Sequence, residues 1–594
     1  MERILQGLGA STYFARMEKK IIKKSLLMVF VLVSLLLAGC GGGSGDEACP
    51  LRDLPYPRPE PDYSGKLERD FSPFASVLEG YSLDHVAARE AMVSGKTIPE
   101  LQALMESGKL NSVDLVVYYL ERVQRYDIDK LNSVLELNPE ALEIAQALDD
   151  ERAAGTVRGP MHGIPVLLKD NIATGDDLHT TAGAAAMLAW DPDRDAFLAG
   201  QLREAGAVIL GKANLSEWAN WMDSCMPNGF STNGGQTQNP YGPYETYGSS
   251  SGSAVSVAAD LTTVSIGTET QGSLIKPAGI NSVVALKTSR GLVSRDYVIP
   301  LFPAQDVPGP MGRTVTDVAV LLSAMTGVDE NDPETANAAD WADTDFTQFL
   351  NAESLVDVRV GLPIWNDEAF EARFADLGIE DADAQEEFRK SYEAQIAEQQ
   401  AIGAALEQAG VTVVEIPHTA LPHRIDTEPA WTHGYKVAIN QFLADLGADA
   451  PVASLEAIIA FNQEDGANRA PYGQDHLEAS QASDLSAEEF EQMVAGNQQA
   501  ARDSIDGVLA QYDLDLIVSD LGQLYAPAGY PALTIPSGYA KDGTPQNVVF
   551  VGGYLSEPQL LAVGYAFEQA TQARVEPDLE ATMELIAEIE TLAP

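Results

Sequence analysis

The stretch YGSSSGSAVSVAADLTTVSIGTETQGSLIKP, residues 247–277, decides the fold and holds the candidate chemistry. It contains two glycine turns that carry serines, Gly248–Gly252 and Gly272–Ser273. Between them, small and branched apolar residues predict a helix at Ala254–Ala259 and a strand at Thr262–Ile266. Because glycine allows a positive φ or a close backbone approach, each turn can present a hydroxyl and N–H groups to a ligand. A Gly/Ser linker is the alternative, but linkers do not enclose an apolar helix and strand of regular length.

Short apolar strands and helices extend outward from this stretch in both directions. One helix has its cap at Asn111 or Ser112, another covers Asp383–Gly410, and a third begins after Ser556. Continuous apolar strands separated by helices indicate a central sheet covered on both faces, and Asp542–Gly543 between two strands indicates a hairpin. The predicted fold class is therefore α/β, a single large domain with a mixed central sheet. Besides Thr262–Ile266, the predicted strands are Ile164–Leu168, Ala207–Leu210, Val283–Leu286, Val358–Leu362, Val411–Ile416, Leu516–Val518, Leu533–Ile535 and Val548–Val551.

The N-terminal residues predict an export signal. Four lysines between 19 and 24 precede an apolar run at Leu26–Leu37, which continues into Ala-Gly-Cys40. A basic region, a short apolar run and small residues before a cleavage point are typical of a secretory signal peptide, and the run is too short for a convincing membrane span. The sequence LAGC resembles a bacterial lipobox, which implies cleavage before Cys40 and lipidation of this cysteine. An ordinary signal peptide with an incidental cysteine is the alternative.

The predicted organisation follows from this signal and from the composition after it. We expect a signal peptide at 1–39, a lipidated cysteine with a Gly/Pro-rich tether at 40–70, and one catalytic domain at 71–594. Residues 420–505 are more polar and mostly helical, which predicts an insertion in that domain. We therefore expect an exported protein that is anchored to the bacterial cell envelope and reaches the membrane only through its N-terminal lipid.

The composition excludes several classes of function. The 594 residues carry a formal charge of −51, and removal of residues 1–39 makes it −55. So acidic a surface repels phosphate backbones, which argues against a nucleic-acid partner. The seven histidines show no metal-ligand spacing such as H-E-x-x-H, and no phosphate loop is present, so we expect neither metal nor cofactor. With three cysteines the chain is no disulfide scaffold, and the pairing of Cys49 with Cys225 cannot be decided from the sequence. The oligomeric state is not predicted either.

Two candidate nucleophile systems follow from the residues. Gly248–Gly252 formally matches the G-x-S-x-G elbow, which would make Ser250 the nucleophile of an α/β-hydrolase-like esterase. That motif needs a buried strand before the turn, whereas the preceding NPYGPYETY is typical of a loop. The other candidate begins with Lys169, directly after the predicted strand Ile164–Leu168. Such a lysine is often a snorkelling surface residue, but in partly apolar surroundings it loses its proton more easily and can act as a base.

Four ordered motifs carry a family resemblance. HGIPVLLKDNI, GSSSGSAVSVAA, TETQGSLIKPA and VALKTSRGLVSRDYVIP resemble the successive signatures of the amidase signature family of serine hydrolases. Lys169 precedes Ser249 by 80 residues, and Ser249 precedes Ser273 by 24. The likeness covers roughly residues 98–575. Through NLSEWAN, GGQTQNPY and LEAIIAFNQ the chain is most similar to the bacterial peptide amidases.

The resemblance implies a Ser-Ser-Lys triad and an acyl-enzyme. Ser273 resembles the nucleophile, Ser249 the bridging serine, whose peptide bond from Gly248 is cis in the family, and Lys169 the base. The backbone N–H groups of four consecutive residues would hold the oxyanion: Thr270, Gln271, Gly272 and Ser273. The implied function is hydrolysis of a carboxamide, a C-terminal peptide amide or a small acyl amide. A non-catalytic binding lipoprotein is the alternative from another class.

Two departures from the family pattern concern the substrate. Some relatives carry an arginine two or three positions after the nucleophile, where this chain has Ile275 and Lys276. Lysine keeps the charge but lacks the planar fork that binds a carboxylate. The segment between Ser519 and Ala528 is also shorter than in the relatives, which predicts a more open acyl pocket. The tRNA-dependent amidotransferase branch resembles the chain too, but export and negative charge argue against a tRNA partner.

Overall fold

A computed structural model describes Cys49, Tyr56, Arg58 and residues 60–80, 83–351, 355, 357–421 and 424–590. The predicted signal peptide and Cys40 lie outside the described residues. One compact unit extends from Tyr56 onward, so the globular part begins earlier than the predicted boundary at residue 71. Within the described ranges, no helix combines the length and apolar character needed to cross a bilayer.

A mixed sheet passes through the whole globular unit, as predicted. The strands of the described residues are β1 Val134–Leu137, β2 Pro165–Lys169, β3 Val208–Ala213, β4 Phe230–Ser231, β5 Gly235–Gln236, β6 Val264–Glu269, β7 Val284–Lys287, β8 Val307–Gly312, β9 Arg359–Ile364, β10 Thr412–Pro417, β11 Leu516–Val518, β12 Ala532–Tyr539 and β13 Pro545–Gly552. Eleven of them form the sheet in the order β1-β3-β2-β6-β8-β7-β12-β13-β11-β9-β10, and β4 and β5 form a separate hairpin. β2 runs parallel to β3 and β6, whereas β12 is antiparallel to β7 and β13.

Helices flank the sheet. They are α1 Ala75–Leu78, α2 Leu83–Val93, α3 Ile98–Glu106, α4 Ser112–Tyr126, α5 Ala141–Ala153, α6 Phe197–Glu204, α7 Ser251–Ala258, α8 Ile275–Ile280, α9 Val315–Ser323, α10 Asp367–Leu377, α11 Ala382–Ser391, α12 Glu393–Gln408, α13 Glu428–Leu446, α14 Leu455–Glu464, α15 Gly466–Arg469, α16 Asp475–Ala482, α17 Ala487–Tyr512, α18 Gly522–Ala528, α19 Glu557–Thr571 and α20 Leu579–Glu590. Asn111 caps α4, because its side chain accepts from the N–H of Asp114. Helices α13 to α17 occupy the predicted insertion.

The sequence missed two strands of the large sheet and both strands of the β4–β5 hairpin, and it misread one helix. β8 reads VPGPMG, a composition typical of a turn, yet it lies between β6 and β7 and pairs with both. β1 is absent from the predicted strands, and it pairs antiparallel with β3 at the edge of the sheet. The predicted helix Asp383–Gly410 is two helices, α11 and α12, with a break at Tyr392.

Helix α7 is buried along its whole length and packs against β6, β2 and β8. Its small residues allow this, and Gly252 shows the reason most clearly. A Cβ atom there would lie 2.4 Å from the carbonyl oxygens of both Asn214 and Ser133. The glycine N–H donates instead to the Asn214 carbonyl at 3.0 Å, so the start of the helix is fixed against the loop that follows β3.

Residues 60–66, which lie within the predicted tether, contact the β4–β5 hairpin. Glu60 Oε1 accepts hydrogen bonds from the Gln236 N–H at 3.2 Å, from Asn132 Nδ2 at 3.0 Å and from Lys66 Nζ at 2.9 Å. The ring of Tyr63 packs edge-on against Phe230 at 5.6 Å. Residues 60–66 therefore form a strap on the β4–β5 hairpin.

Candidate active site

Lys169, the last residue of β2, carries its side chain into a fully buried position. Its Nζ lies 2.7 Å from Ser249 Oγ, 2.9 Å from Thr268 Oγ1 and 3.2 Å from the Thr268 carbonyl oxygen. Burial lowers the pKa of Lys169 to about 7, although the negative charges of Asp306 and Glu269 act in the opposite direction. The amine is therefore largely uncharged at mildly alkaline pH.

The two oxygens of Thr268 orient the lysine amine. An uncharged amine has two N–H bonds and one lone pair. When Thr268 Oγ1 and the Thr268 carbonyl accept the two N–H bonds, the lone pair is left for the hydroxyl proton of Ser249. The Thr268 side chain is itself fixed by Asn171 Nδ2, which donates to Oγ1 at 3.1 Å. In this arrangement an uncharged Lys169 can accept a proton from Ser249.

Ser249 lies in the first serine turn and is fully buried. The peptide bond between Gly248 and Ser249 is cis, as the family resemblance implied. The carbonyl of Ser249 accepts a hydrogen bond from the N–H of Ser216 at 3.0 Å. The turn is therefore attached through its backbone to the segment after β3.

Ser273 lies in the second serine turn, directly after β6, and is 7% exposed. Its carbonyl accepts from the N–H of Ser250 at 3.1 Å, which joins the two turns. Within the described ranges, its hydroxyl makes no hydrogen bond. Gly272 adopts a φ of 78°, in the region that favours glycine. This serine is the most accessible of the three predicted triad residues.

Glu269, at the end of β6, shapes the second turn from inside. Its buried carboxylate accepts hydrogen bonds from the N–H groups of Gly272 at 2.6 Å, Leu274 at 2.8 Å and Ile275 at 3.1 Å. Of the four predicted oxyanion donors, Gly272 thus already has an acceptor. The N–H groups of Thr270, Gln271 and Ser273 have no acceptor in the described part of the chain.

Thr270, the first residue of the turn, is held by the loop before β8. Its Oγ1 donates to Asp306 Oδ1 at 2.5 Å, and its carbonyl accepts from Gln305 Nε2 at 3.3 Å. The Asp306 carboxylate also accepts from the N–H groups of Leu301 and Phe302. This loop fixes the position of the Thr270 backbone.

The hydroxyl of Ser250 is hydrogen-bonded to the backbone of Thr268. Its Oγ donates to the Thr268 carbonyl at 3.0 Å and accepts from the Thr268 N–H at 3.2 Å. No strand precedes its turn between residues 237 and 250. Both observations argue against the α/β-hydrolase elbow.

Ile275 and Lys276, which stand where some relatives have an arginine, have different surroundings. Ile275 is buried at 1% exposure, so it faces the core. Lys276 is exposed, and its aliphatic stem lies over Gly272, where a Cβ would be 3.2 Å from Lys276 Cδ. The short segment after Ser519 forms α18, whose residues are mostly buried.

Among the described residues, no group of histidine, cysteine or carboxylate side chains could hold a metal ion.

Sequence reasoning missed the residues that support the three predicted ones. Thr268 and Glu269 stand in the quoted motif TETQGS, where their polar side chains at the end of a buried strand were an available signal. Asp306 and Gln305 gave no such signal. They lie more than thirty residues after the turn that they hold, in a loop without a recognisable pattern.

Comparisons with known proteins identify the family of the chain. The profile of the family described as Amidase matches residues 114–521. A probable amidase of Arabidopsis thaliana is 36% identical over 81% of this chain and 91% of its own length. A glutamyl-tRNA(Gln) amidotransferase subunit of Halorhodospira halophila is 30% identical over 80% of this chain and 97% of its own.

Solved structures show the same relationship. An amidase family protein of Bacillus anthracis is 37% identical and has a TM-score of 0.78, covering 87% of this chain and 99% of its own. A peptide amidase of Stenotrophomonas maltophilia is 36% identical and has a TM-score of 0.72, covering 82% and 99%. Because the family profile matches more than half of the chain and the relatives extend over four-fifths of it, the protein belongs to the amidase signature family and is an amidase, a hydrolase of amide C–N bonds.

Proposed function

We propose that the protein hydrolyses a carboxamide through Ser273, Ser249 and Lys169, and that its substrate is a C-terminal peptide amide or a similar small acyl amide. The observation that carries the proposal is the 2.7 Å distance from Lys169 Nζ to Ser249 Oγ at a fully buried site. A buried amine with a pKa near 7 can take a proton at physiological pH.

The proposed reaction moves one proton along two hydroxyls. Neutral Lys169 takes the proton of Ser249 while Ser249 takes that of Ser273, and Ser273 Oγ attacks the amide carbon. The relay then runs backwards and protonates the departing nitrogen, which leaves as an amine or as ammonia and yields an acyl-enzyme. Water, deprotonated through the same relay, attacks the ester and releases the acid.

Backbone donors stabilise the tetrahedral intermediate in this mechanism. We assign this role to the N–H groups of Thr270, Gln271 and Ser273, since that of Gly272 donates to Glu269. Donors placed before the reaction are worth about 3–4 kcal/mol each in the transition state. Thr270 is the best fixed of the three, because both its hydroxyl and its carbonyl are held.

The substrate class rests on a neighbour. The peptide amidase of Stenotrophomonas maltophilia is 36% identical, and a peptide amidase that is also 36% identical has been solved with the competitive inhibitor chymostatin. The amidotransferase relatives point to a tRNA-linked substrate instead, but a formal charge of −51 repels tRNA. We therefore favour a peptide or small acyl amide.

The test is a screen of peptide amides, small acyl amides and esters with the purified protein, with Ser273→Ala as the blank. We expect release of ammonia from at least one amide and none from the blank. Equal rates with the two proteins would overturn the assignment. Binding of amides without turnover in the unsubstituted protein would favour the non-catalytic alternative.

We also propose that the protein is exported and anchored through a lipid on Cys40. LAGC at residues 37–40 supports this, and so do Cys49 and Cys225, both of which are disulfide-bonded. Disulfides persist in oxidising compartments and are rare in the cytosol. Cys40→Ala should abolish incorporation of labelled fatty acid and release the protein from the membrane fraction. Unchanged membrane association would contradict the anchor.

A further inference from the structure

The first turn of α13 lies against the second serine turn, residues 270–273, which holds the proposed nucleophile Ser273 and is called the nucleophile turn below. Thr427, at the start of this helix, places Oγ1 3.5 Å from Gln271 Oε1. Trp431, four residues later and on the same helix face, donates from Nε1 to Gln305 Oε1 at 2.8 Å. Gln305 in turn donates to the Thr270 carbonyl at 3.3 Å. The indole of Trp431 is therefore two hydrogen bonds from the residues assigned to the oxyanion.

Trp431 belongs to an aromatic group of three rings. It meets Trp221 edge-on at 5.7 Å, and Trp221 stacks on His476 at 4.7 Å. Trp221 is 6% exposed and donates from Nε1 to Ser480 Oγ at 2.9 Å. Trp431 is only half-buried. The indole is thus held in place while part of its surface stays accessible, and it is linked to Thr270 through Gln305.

The position of this indole has a consequence for the substrate. In the proposed mechanism the substrate carbonyl oxygen lies at the N–H groups of Thr270, Gln271 and Ser273. The acyl group then lies along the same turn, next to the surface that Trp431 provides. We propose that Trp431, backed by Trp221, forms a wall of the acyl pocket and selects amides with an aromatic or large apolar side chain next to the scissile bond. This inference rests on the proposed function.

A solely structural role for Trp431 gives a different expectation. If the indole only packs α13 onto the domain, its removal changes turnover or stability equally for every substrate. If it touches the acyl side chain, its removal changes the ratio between substrates, because a large side chain then loses an interaction that a small one never makes. The ratio of kcat/KM values for two amides therefore separates the two roles.

The probes are N-acetylphenylalaninamide and N-acetylalaninamide, tested on the full-length protein. We expect the unsubstituted protein to favour the phenylalanine amide about tenfold or more in kcat/KM. Trp431→Ala should reduce this preference to about twofold or less. Trp431→Phe keeps an aromatic ring but loses the donor to Gln305, so it should keep most of the preference while kcat falls for both amides. Trp341→Ala, whose indole packs on Phe346 and Phe349, is the matched control and should leave the ratio unchanged.

A binding measurement keeps this test independent of turnover. Both amides are titrated calorimetrically into Ser273→Ala with and without Trp431→Ala, after circular dichroism has shown that each variant is folded. Tighter binding of the phenylalanine amide that disappears with Trp431→Ala supports the wall even if no amide is hydrolysed, in which case only the proposed function fails. The inference is overturned if the folded Trp431→Ala variant keeps the same preference for the phenylalanine amide as the unsubstituted protein. It is also overturned if the unsubstituted protein shows no preference between the two amides.

Discussion

Glu269 accepts a hydrogen bond from the backbone N–H of Gly272 at 2.6 Å, so a buried carboxylate lies directly beneath the nucleophile turn. It accepts two further N–H groups from the start of α8. The same charge raises the pKa of Lys169 against the larger effect of burial. One side chain therefore influences both the shape of the turn and the charge of Lys169.

Replacement of Glu269 by glutamine should have two separable effects. Loss of backbone acceptor strength loosens the turn, and we expect kcat to fall about 10- to 100-fold. Loss of the negative charge lowers the pKa of Lys169, so the acidic limb of the kcat/KM profile should move to lower pH. Glu334→Gln, on a half-exposed carboxylate that pairs with Arg290, is the control and should change neither. An unshifted limb in an active Glu269→Gln variant would contradict the electrostatic role.

Lys169 should set both the activity and part of the pH dependence of stability. Lys169→Met should lower kcat/KM by about 10²- to 10⁴-fold, the usual contribution of a general base. The unsubstituted protein should gain activity as pH rises through about 7, where the amine loses its proton. A flat pH profile between 5 and 9 would argue against a lysine base.

The stability of the same variant tests the lowered pKa of Lys169 without any assay of activity. Between pH 7 and 10.5 the unfolded chain holds a proton on this lysine that the folded protein has lost. The folded protein therefore gains stability as pH rises through this range, and below pH 7 the full cost of burying the charge is present. Lys169→Met abolishes this dependence, so its Tm relative to that of the unsubstituted protein should be higher at pH 6 than at pH 10. A constant difference would mean that the pKa is not lowered.

Thr268→Val tests the orientation of the amine. Valine has a similar shape but removes Oγ1, which accepts from Lys169 at 2.9 Å. We expect kcat to fall about 10- to 100-fold with little change in KM, because the lone pair loses its fixed direction. Thr268→Ser keeps the acceptor and should retain most of the activity. If the two variants were equally impaired, the hydroxyl would have no such role.

Ser250→Ala and Ser273→Ala together distinguish the roles of the two serine turns. Its hydroxyl joins the Thr268 backbone, so its removal should lower the free energy of unfolding by about 1–3 kcal/mol, because a buried donor is left unsatisfied. Activity should persist, whereas Ser273→Ala should abolish turnover without such a loss of stability. Denaturant unfolding and ammonia release measure the two effects. Complete inactivation of a folded Ser250→Ala variant would revive the elbow interpretation.

The sequence predicted the parts of the site that are local and missed those that depend on pairing. The apolar run before Lys169 predicts a buried strand, and the small apolar residues of α7 predict a buried helix, because both patterns lie within a few consecutive residues. β8 could not be recognised, because Pro308 and Pro310 are unfavourable in an interior strand and only its neighbours β6 and β7 impose the conformation. Asp306 directly precedes β8, and it reaches Thr270 only because β8 pairs with β6. Long-range pairing of this kind leaves no periodic pattern.

The strand order has a consequence for how the enzyme comes into being. β12 and β13, the last strands along the described chain, fill the middle of the sheet between β7 and β11. A nascent polypeptide can therefore join its two flanks only when this late hairpin has emerged. The sheet that carries Lys169, and with it the catalytic framework, is therefore complete only late in the synthesis of the chain.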